Sequence, residues 1–349
     1  MNNAAICVVP EYPLNLMEGG VQVQALATFN ALRERGTNVR MFEWSSSTTP
    51  ADLYHFVGFP PYLASLANLL RRKGRPYVCT LLCGGQRDFL QLWTSRIRHR
   101  LNATLPGRRE YHRAVVGANA IVTITQADAA VARFVFGAQA SRITVVGNGV
   151  DARFRAGSPH LWRERYGDRP FVLCVGQVQP RKNQLFLLQV GNLLKLPVVL
   201  VGPPLSDRDD YAQRVAREAR INTEHGGLWL RDVSGNDPLL ASAYAACRVY
   251  VLLSHRETQP LSVLEAMAAG KPVLLGYADY AREYPFATLP RTSPVSVKAA
   301  VRDLDAVWMR GAVTTLPPEF AWDQVADRLS TIYERVLAES SVVQSGTTP

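Results

Sequence analysis

The stretch VYVLLSHRETQPLSVLEAMAAGKPVLLGY, residues 249–277, decides the fold. It opens with VYVLLS, an apolar and β-branched run of strand length, and passes through the polar loop HRETQP. LSVLEAMAAG then suits a buried helix stopped by Gly270, and PVLLGY is a second strand. Strand, loop, helix and strand in this order belong to a parallel β/α arrangement. The stretch also carries two carboxylates. Glu257 lies in the loop, and Glu265 lies in the helix beside Leu264, Ala266 and Met267, which read as buried.

The same alternation extends outward along most of the chain. AICVVP, NVRMFEW, DLYHFVGF, PYVCTLL, AIVTIT and RITVVGNG are strand-like runs with helical runs among them, such as VQVQALATFNALRERG. After VDARFRAGSPHLWRERYGDRP the series restarts with PFVLCVG, PVVLVGP, GLWLRDV, VYVLLS and PVLLGY. Such runs predict parallel sheets covered on both faces, and the restart predicts a linker and a second sheet. A chain of 349 residues suits two domains. The tail ESSVVQSGTTP, residues 339–349, reads as disordered.

Composition narrows the function classes. No apolar run approaches the ~20 residues of a membrane span, and the start MNNAAICVVPEYP lacks the pattern of a secretory signal. Five cysteines without a CxxC pair suit reduced core thiols in the cytosol. The formal net charge is +10, and residues 71–113 hold nearly all of the excess, with eleven lysines and arginines against Asp88 and Glu110. A solvated helical face explains such a patch. So does attraction to phosphates of nucleic acid, anionic lipid or a polyprenyl-phosphate sugar carrier. Nucleic acid is disfavoured, because no recognition motif or aromatic stacking platform is present.

Ligands of open parallel sheets bind beyond the carboxyl ends of the strands, which places the candidate residues. Gly19 and Gly20 open a helix after the first strand, where bare N–H groups favour an anion or a sugar hydroxyl; a plain tight turn explains them equally well. Neither a GxGxxG nor a Walker A loop is present, so NAD and P-loop readings lose support. Arg181 and Lys182 follow the strand of VLCVGQVQPRKNQ, where two cations suit a diphosphate or are simply surface charges. Glu257 and Glu265 suit the hydroxyls of two sugars, such as a hexose and a ribose. A glycosidase-like acid and nucleophile pair is the rival for these carboxylates.

Taken together these motifs resemble the retaining glycosyltransferases of family 4 (GT4, glycosyl transferases group 1), which have the GT-B fold. The family's pattern of Glu, seven residues and Glu, followed by Ala-Met-Ala-x-Gly-x-Pro, matches Glu257, Glu265 and AMAAGKP. Asn148–Asp151 match its Asn-Gly-Val-Asp signature, and Gly19-Gly20 its first-strand loop. DLYHF, AIVTITQAD with Thr125, and VGQVQPRKN resemble further segments in the family's order, most of residues 1–275 in all.

The resemblance implies an α/β protein of two Rossmann-like parallel-sheet domains facing across a cleft. An acceptor domain would span residues 1–155, with the helix 320–338 packed back on it, and a nucleotide-sugar domain residues 165–315. Glu257 and Lys182 would be catalytic. The donor would meet Gly19, Gly20, Gln177, Arg181, Lys182, Glu257, Thr258, Gln259, Leu261, Ser262 and Glu265. Lys182 would grip the diphosphate, Glu265 the ribose and Glu257 the donor sugar, while Arg87, Asp88 and Asn148 would serve the acceptor. A hexose would pass from a nucleoside-diphosphate sugar to a glycan or polyprenyl-diphosphate-linked acceptor with retention, needing no bound metal or cofactor. Apart from the resemblance, the cysteines suit a cytoplasmic location and the basic segment 71–113 a peripheral one on an anionic membrane. Three departures stand out. Gln177 replaces an arginine, Thr258-Gln259-Pro260 replaces Gly-Phe-Gly, and Cys83–Asp88 lacks the usual histidine. They leave open a degenerate member that binds a sugar-nucleotide or glycan, or scaffolds a partner, without transfer.

Overall fold

The computed structural model describes residues 4–12, 20–44, 50–84, 89–102, 105–206, 208–276, 289–313 and 315–345. The chain divides into two compact units, residues 1–149 with 319–349 and residues 150–318.

In the first unit the strands are β1 (Ile6–Pro10), β2 (Val39–Met41), β3 (Leu53–Val57), β4 (Tyr77–Leu81), β5 (Ala120–Thr123) and β6 (Ile143–Val145). They lie in the order β2-β1-β3-β4-β5-β6, and every pairing is parallel. Alternation along each strand divides the side chains between two cores. Cys7, Val9, Tyr54, Phe56, Tyr77, Cys79 and Ile121 share one core with the helices Ala64–Arg72 and Pro106–Val116. Ile6, Val8, Leu53, Val57, Val78 and Val122 share the other with the helices Gly20–Glu34 and Trp322–Ser345. Apolar residues on both faces explain why these strands read as unbroken hydrophobic runs.

The terminal helix is thus part of the first unit. Its Asp327 pairs with Arg35, and its Tyr333 hydroxyl lies 2.7 Å from Nδ1 of the buried His55. The other His55 nitrogen meets Thr80 Oγ1 at 2.8 Å, and burial pushes its pKa down to about 3, so this histidine is a neutral core residue. The helix runs through Ser345, so residues 339–345 are helical and not disordered as expected; residues 346–349 lie outside the described residues. Ser340 and Ser341 donate back to the carbonyls of Val336 and Ala338, so hydroxyls that suggested a loose tail are absorbed by the helix itself.

In the second unit the strands are β7 (Val172–Val175), β8 (Val198–Val201), β9 (Leu228–Leu230), β10 (Val249–Leu252), β11 (Val273–Gly276) and β12 (Arg291–Thr292). Their order is β12-β11-β10-β7-β8-β9, again all parallel. The chain winds outward from β7 through β8 to β9, then returns to add β10 on the other side of β7. That reversal makes β7 and β10 the topological switch point. The unit begins earlier than the expected linker, at Val150 and not after residue 155. The reason is Phe154, which is buried with its ring 5.3 Å from that of Tyr244, while Arg155 donates to the carbonyls of Leu316 and Pro317.

Gly149, the last residue of the first unit before the boundary, shows why one position of the Asn-Gly-Val-Asp stretch is glycine. A Cβ there would lie 2.5 Å from Cδ2 and 2.7 Å from Cγ of Trp322 in the terminal helix. Gly149→Ala is therefore expected to destabilise the protein by about 1–3 kcal/mol through overpacking. Thermal unfolding checks this; an unchanged melting temperature would show that the indole does not close on Gly149.

Candidate active site

Two loops meet at the β7/β10 switch point. The first, residues 176–183, leaves β7 through Gly176 at φ 140° and turns through a short 3-10 segment, Pro180–Lys182. It approaches the β8 loop at backbone distance, since a Cβ on Gly202 would lie 2.6 Å from the Gly176 carbonyl oxygen. Asn183 then takes a left-handed conformation, φ 60°, and donates to the Pro294 carbonyl at 2.9 Å. Gln184, buried at the start of the helix Gln184–Leu194, donates to the Gln177 carbonyl at 3.0 Å. The second loop, residues 253–260, leads from β10 into the helix Leu261–Ala268, whose first turn has no side-chain cap. The loops brace each other: His255 N donates to the Arg181 carbonyl at 2.9 Å, and Arg181 Nη1 to the Arg256 carbonyl at 2.6 Å.

Glu257 sits where they cross. Its side chain is 9% exposed, and Oε1 accepts from Lys182 Nζ at 2.7 Å, Arg181 Nη1 at 2.8 Å and Ser254 Oγ at 3.0 Å. Burial alone would push this carboxyl up, but the charges of Lys182 and Arg181 and their hydrogen bonds outweigh it and hold the pKa below its ordinary value. Two cationic side chains thus face one carboxylate, an excess of one positive charge.

Glu265 has the opposite environment. It lies on the helix Leu261–Ala268 between the buried Leu264 and Ala266, and Oε2 accepts from the Tyr244 hydroxyl at 2.7 Å. Burial pushes its pKa up to about 7. The Tyr244 hydrogen bond, Arg153 and Lys182 restrain the rise, and Asp151 adds to it. The site therefore holds one carboxylate kept charged and one carboxyl that titrates near neutrality. It can neutralise an anion through two cations and hold neighbouring hydroxyls through oxygen acceptors.

Of the residues singled out from sequence, the structure brings Gln177, Arg181, Lys182, Glu257, Thr258, Gln259, Leu261, Ser262 and Glu265 to this end of the second sheet. Gly20 begins the helix Gly20–Glu34 and Asn148 is buried after β6, both in the first unit. Gly19, Arg87 and Asp88 lie outside the described residues. Sequence reasoning missed Tyr244, Ser254, Arg153 and Gln184. Tyr244 carried a readable signal, because a tyrosine inside the apolar helix Pro238–Ala246 must find a partner for its hydroxyl. An open cavity of about 620 Å³ in the first unit, lined by Tyr62, Ser65, His99 and Arg108 among others, contains none of these residues.

Comparison with known proteins places the chain in a family. The model of the family "Glycosyl transferases group 1" matches residues 163–284, and that of "Glycosyltransferase Family 4" matches residues 46–154. A D-inositol 3-phosphate glycosyltransferase of Acidothermus cellulolyticus is 30% identical over 260 residues, 67% of this chain and 57% of that protein. An O-antigen chain mannosyltransferase B of Escherichia coli is 32% identical over 33% of this chain and 31% of its own length. The first of these alignments spans little more than half of the relative's length. Among solved structures, sucrose-phosphate synthase from Thermosynechococcus elongatus superposes with a TM-score of 0.73 at 18% identity, covering 96% of this chain and 100% of that one. Anabaena HepE in complex with UDP-glucose gives 0.66 at 16% identity, covering 97% and 100%. At these identities the structures speak for the fold.

The raised pKa of Glu265 makes a stability prediction. Its contribution is present in full below the ordinary carboxyl value and is lost as pH rises to about 7. Ionised, Glu265 costs the fold on the order of 3 kcal/mol. Glu265→Gln keeps an acceptor for Tyr244 and removes the charge, so its melting temperature should exceed that of the wild type at about pH 8 and match it at about pH 4. Parallel pH profiles for the two proteins would place Glu265 in an ordinary solvated environment.

Proposed function

From a chain that belongs to glycosyl transferases group 1, family 4, with the GT-B fold, we propose a retaining glycosyltransferase that moves a hexose from a nucleoside-diphosphate sugar to a glycan or polyprenyl-diphosphate-linked acceptor. The observation that carries this reading is the buried carboxylate of Glu257 held by Lys182 and Arg181 at the switch point of the second sheet. In the structure Glu257 engages both cations. A diphosphate arriving there takes over their charge, with the uncapped amides of Leu261 and Ser262 as further donors. Glu257 is then released to accept from hydroxyls of the transferred sugar, and Glu265 accepts from the ribose hydroxyls.

In the proposed reaction the bond from the anomeric carbon to the diphosphate oxygen breaks, and the acceptor hydroxyl forms its new bond on the same face. The leaving diphosphate oxygen takes the hydroxyl proton. Lys182 and Arg181 stabilise the charge that develops on the leaving group, the role a metal ion plays elsewhere. Gln177, in place of a cation, leaves that role to Arg181, which its salt bridge already places in the cluster. HepE is described with UDP-glucose, which makes UDP-hexoses the first donors to test, ahead of GDP- and ADP-hexoses. The reading carries a cytoplasmic location with it. Release of nucleoside diphosphate from this panel, with and without a glycan acceptor, tests it. A protein that binds nucleotide but neither hydrolyses nor transfers any donor would be the sugar-nucleotide-binding alternative.

The ion cluster separates two variants. Lys182→Ala should weaken binding of a nucleoside diphosphate at least about tenfold while leaving the weak binding of the nucleoside unchanged, because a charge-assisted hydrogen bond contributes ~1.5–3 kcal/mol. Glu257→Gln frees both cations, so affinity for the bare nucleoside diphosphate should hold or rise while transfer falls by about 100-fold or more. Calorimetric titration alongside a transfer assay reads both. Equal losses for nucleoside and nucleoside diphosphate would remove Lys182 from the phosphate site.

A further inference from the structure

The helix Phe89–Asn102 of the first unit packs through one side and exposes an apolar stripe on the other. On the inner side, Arg96 lies over the ring of Phe134 and donates to its carbonyl, and His99 packs on Phe136 and hydrogen-bonds His112. On the outer side, Leu90, Trp93, Ile97 and Leu101 are 68%, 50%, 38% and 71% exposed. At 3.6 residues per turn these four fall in one stripe about 80° wide, on the side away from Leu92, Arg96 and His99. Arg98 and Arg100 are exposed on either side of that stripe. The neighbouring helix Pro106–Val116 adds exposed Arg108 and Arg109, and Ala64–Arg72, which packs on it, ends in exposed Arg71 and Arg72.

We infer that the outer face of Phe89–Asn102 docks on an anionic lipid bilayer, with Leu90, Trp93, Ile97 and Leu101 in the headgroup region and the flanking arginines on lipid phosphates. Four large apolar side chains in solvent on one helix form a patch that water disfavours. Arginines bordering such a stripe, with tryptophan inside it, are the pattern of a helix lying in a membrane interface. The charge chooses among occupants. A second copy of this chain would bring Arg98 and Arg100 against their own kind, whereas an anionic surface neutralises them. Among the described residues no helix is long and apolar enough to cross a membrane, so attachment of this kind would be peripheral. The inference extends the sequence expectation of an electrostatic patch by adding an apolar wedge, and it stands independently of the donor chemistry.

The test is co-sedimentation of the full-length protein with phosphatidylcholine vesicles, neutral or containing about one-third phosphatidylglycerol. The protein should pellet with the anionic vesicles and stay in solution with the neutral ones, and binding should weaken as salt approaches about 1 M. Arg98→Gln/Arg100→Gln/Arg108→Gln/Arg109→Gln should lose at least about tenfold in partitioning. Trp93→Ser/Ile97→Ser/Leu101→Ser should lose a similar factor on the same anionic vesicles. Unchanged melting temperatures would establish that both variants are folded, since the replaced side chains are exposed. Equal binding to both vesicle types, or full binding by the serine variant, would overturn the inference. A lipid-free dimer that the serine variant dissolves would overturn it too, by assigning the stripe to a second copy.

Discussion

The contact on which the site depends is the one between Glu257 and the pair Lys182 and Arg181. A carboxylate taken this far out of water survives as an ion only when cations and hydrogen bonds replace its hydration. Lys182 and Arg181 come from the loop after β7, and Glu257 comes from the loop after β10. These strands are neighbours in the sheet but far apart in sequence. The parallel order that reverses at β7 is what allows two such loops to meet. The bond from the His255 amide to the Arg181 carbonyl and that from the Arg181 guanidinium to the Arg256 carbonyl then fix the meeting point.

The two glutamates differ through environment and not through chemistry. Glu257 is drawn down by cations, whereas Glu265, among aliphatic side chains with Tyr244 as its hydrogen-bond donor, is pushed up. The fold would be more stable with a neutral group at Glu265. Keeping a carboxyl there is the kind of local conflict between stability and chemistry that marks a functional position.

Much of this was legible in the sequence. Both sheets followed from the apolar runs, because strands buried on two faces need not alternate. The Glu257/Glu265 stretch marked the site because its carboxylates stood among residues that had to be buried. What escaped were relations between distant segments. Nothing local to Phe154 says that it packs on Tyr244, so the domain boundary was expected too late. Nothing local to Gly149 says that Trp322 closes on it. Ser340 and Ser341 looked like a loose tail because a side chain's bond to its own helix leaves no mark in composition. The stripe of Leu90, Trp93, Ile97 and Leu101 was overlooked because the surrounding arginines dominated the reading of that segment.

The central claim is that the loops after β7 and β10 form a nucleoside-diphosphate site built on the Glu257 cluster. A crystal structure of the protein with a nucleoside diphosphate tests it most directly. The account predicts diphosphate oxygens within hydrogen-bond distance of Lys182 Nζ, ribose hydroxyls on the Glu265 carboxylate, and a Glu257 side chain parted from at least one of its cations. Nucleotide bound at another place, with the Glu257–Lys182 pair intact and Glu265 still facing only Tyr244, would contradict it.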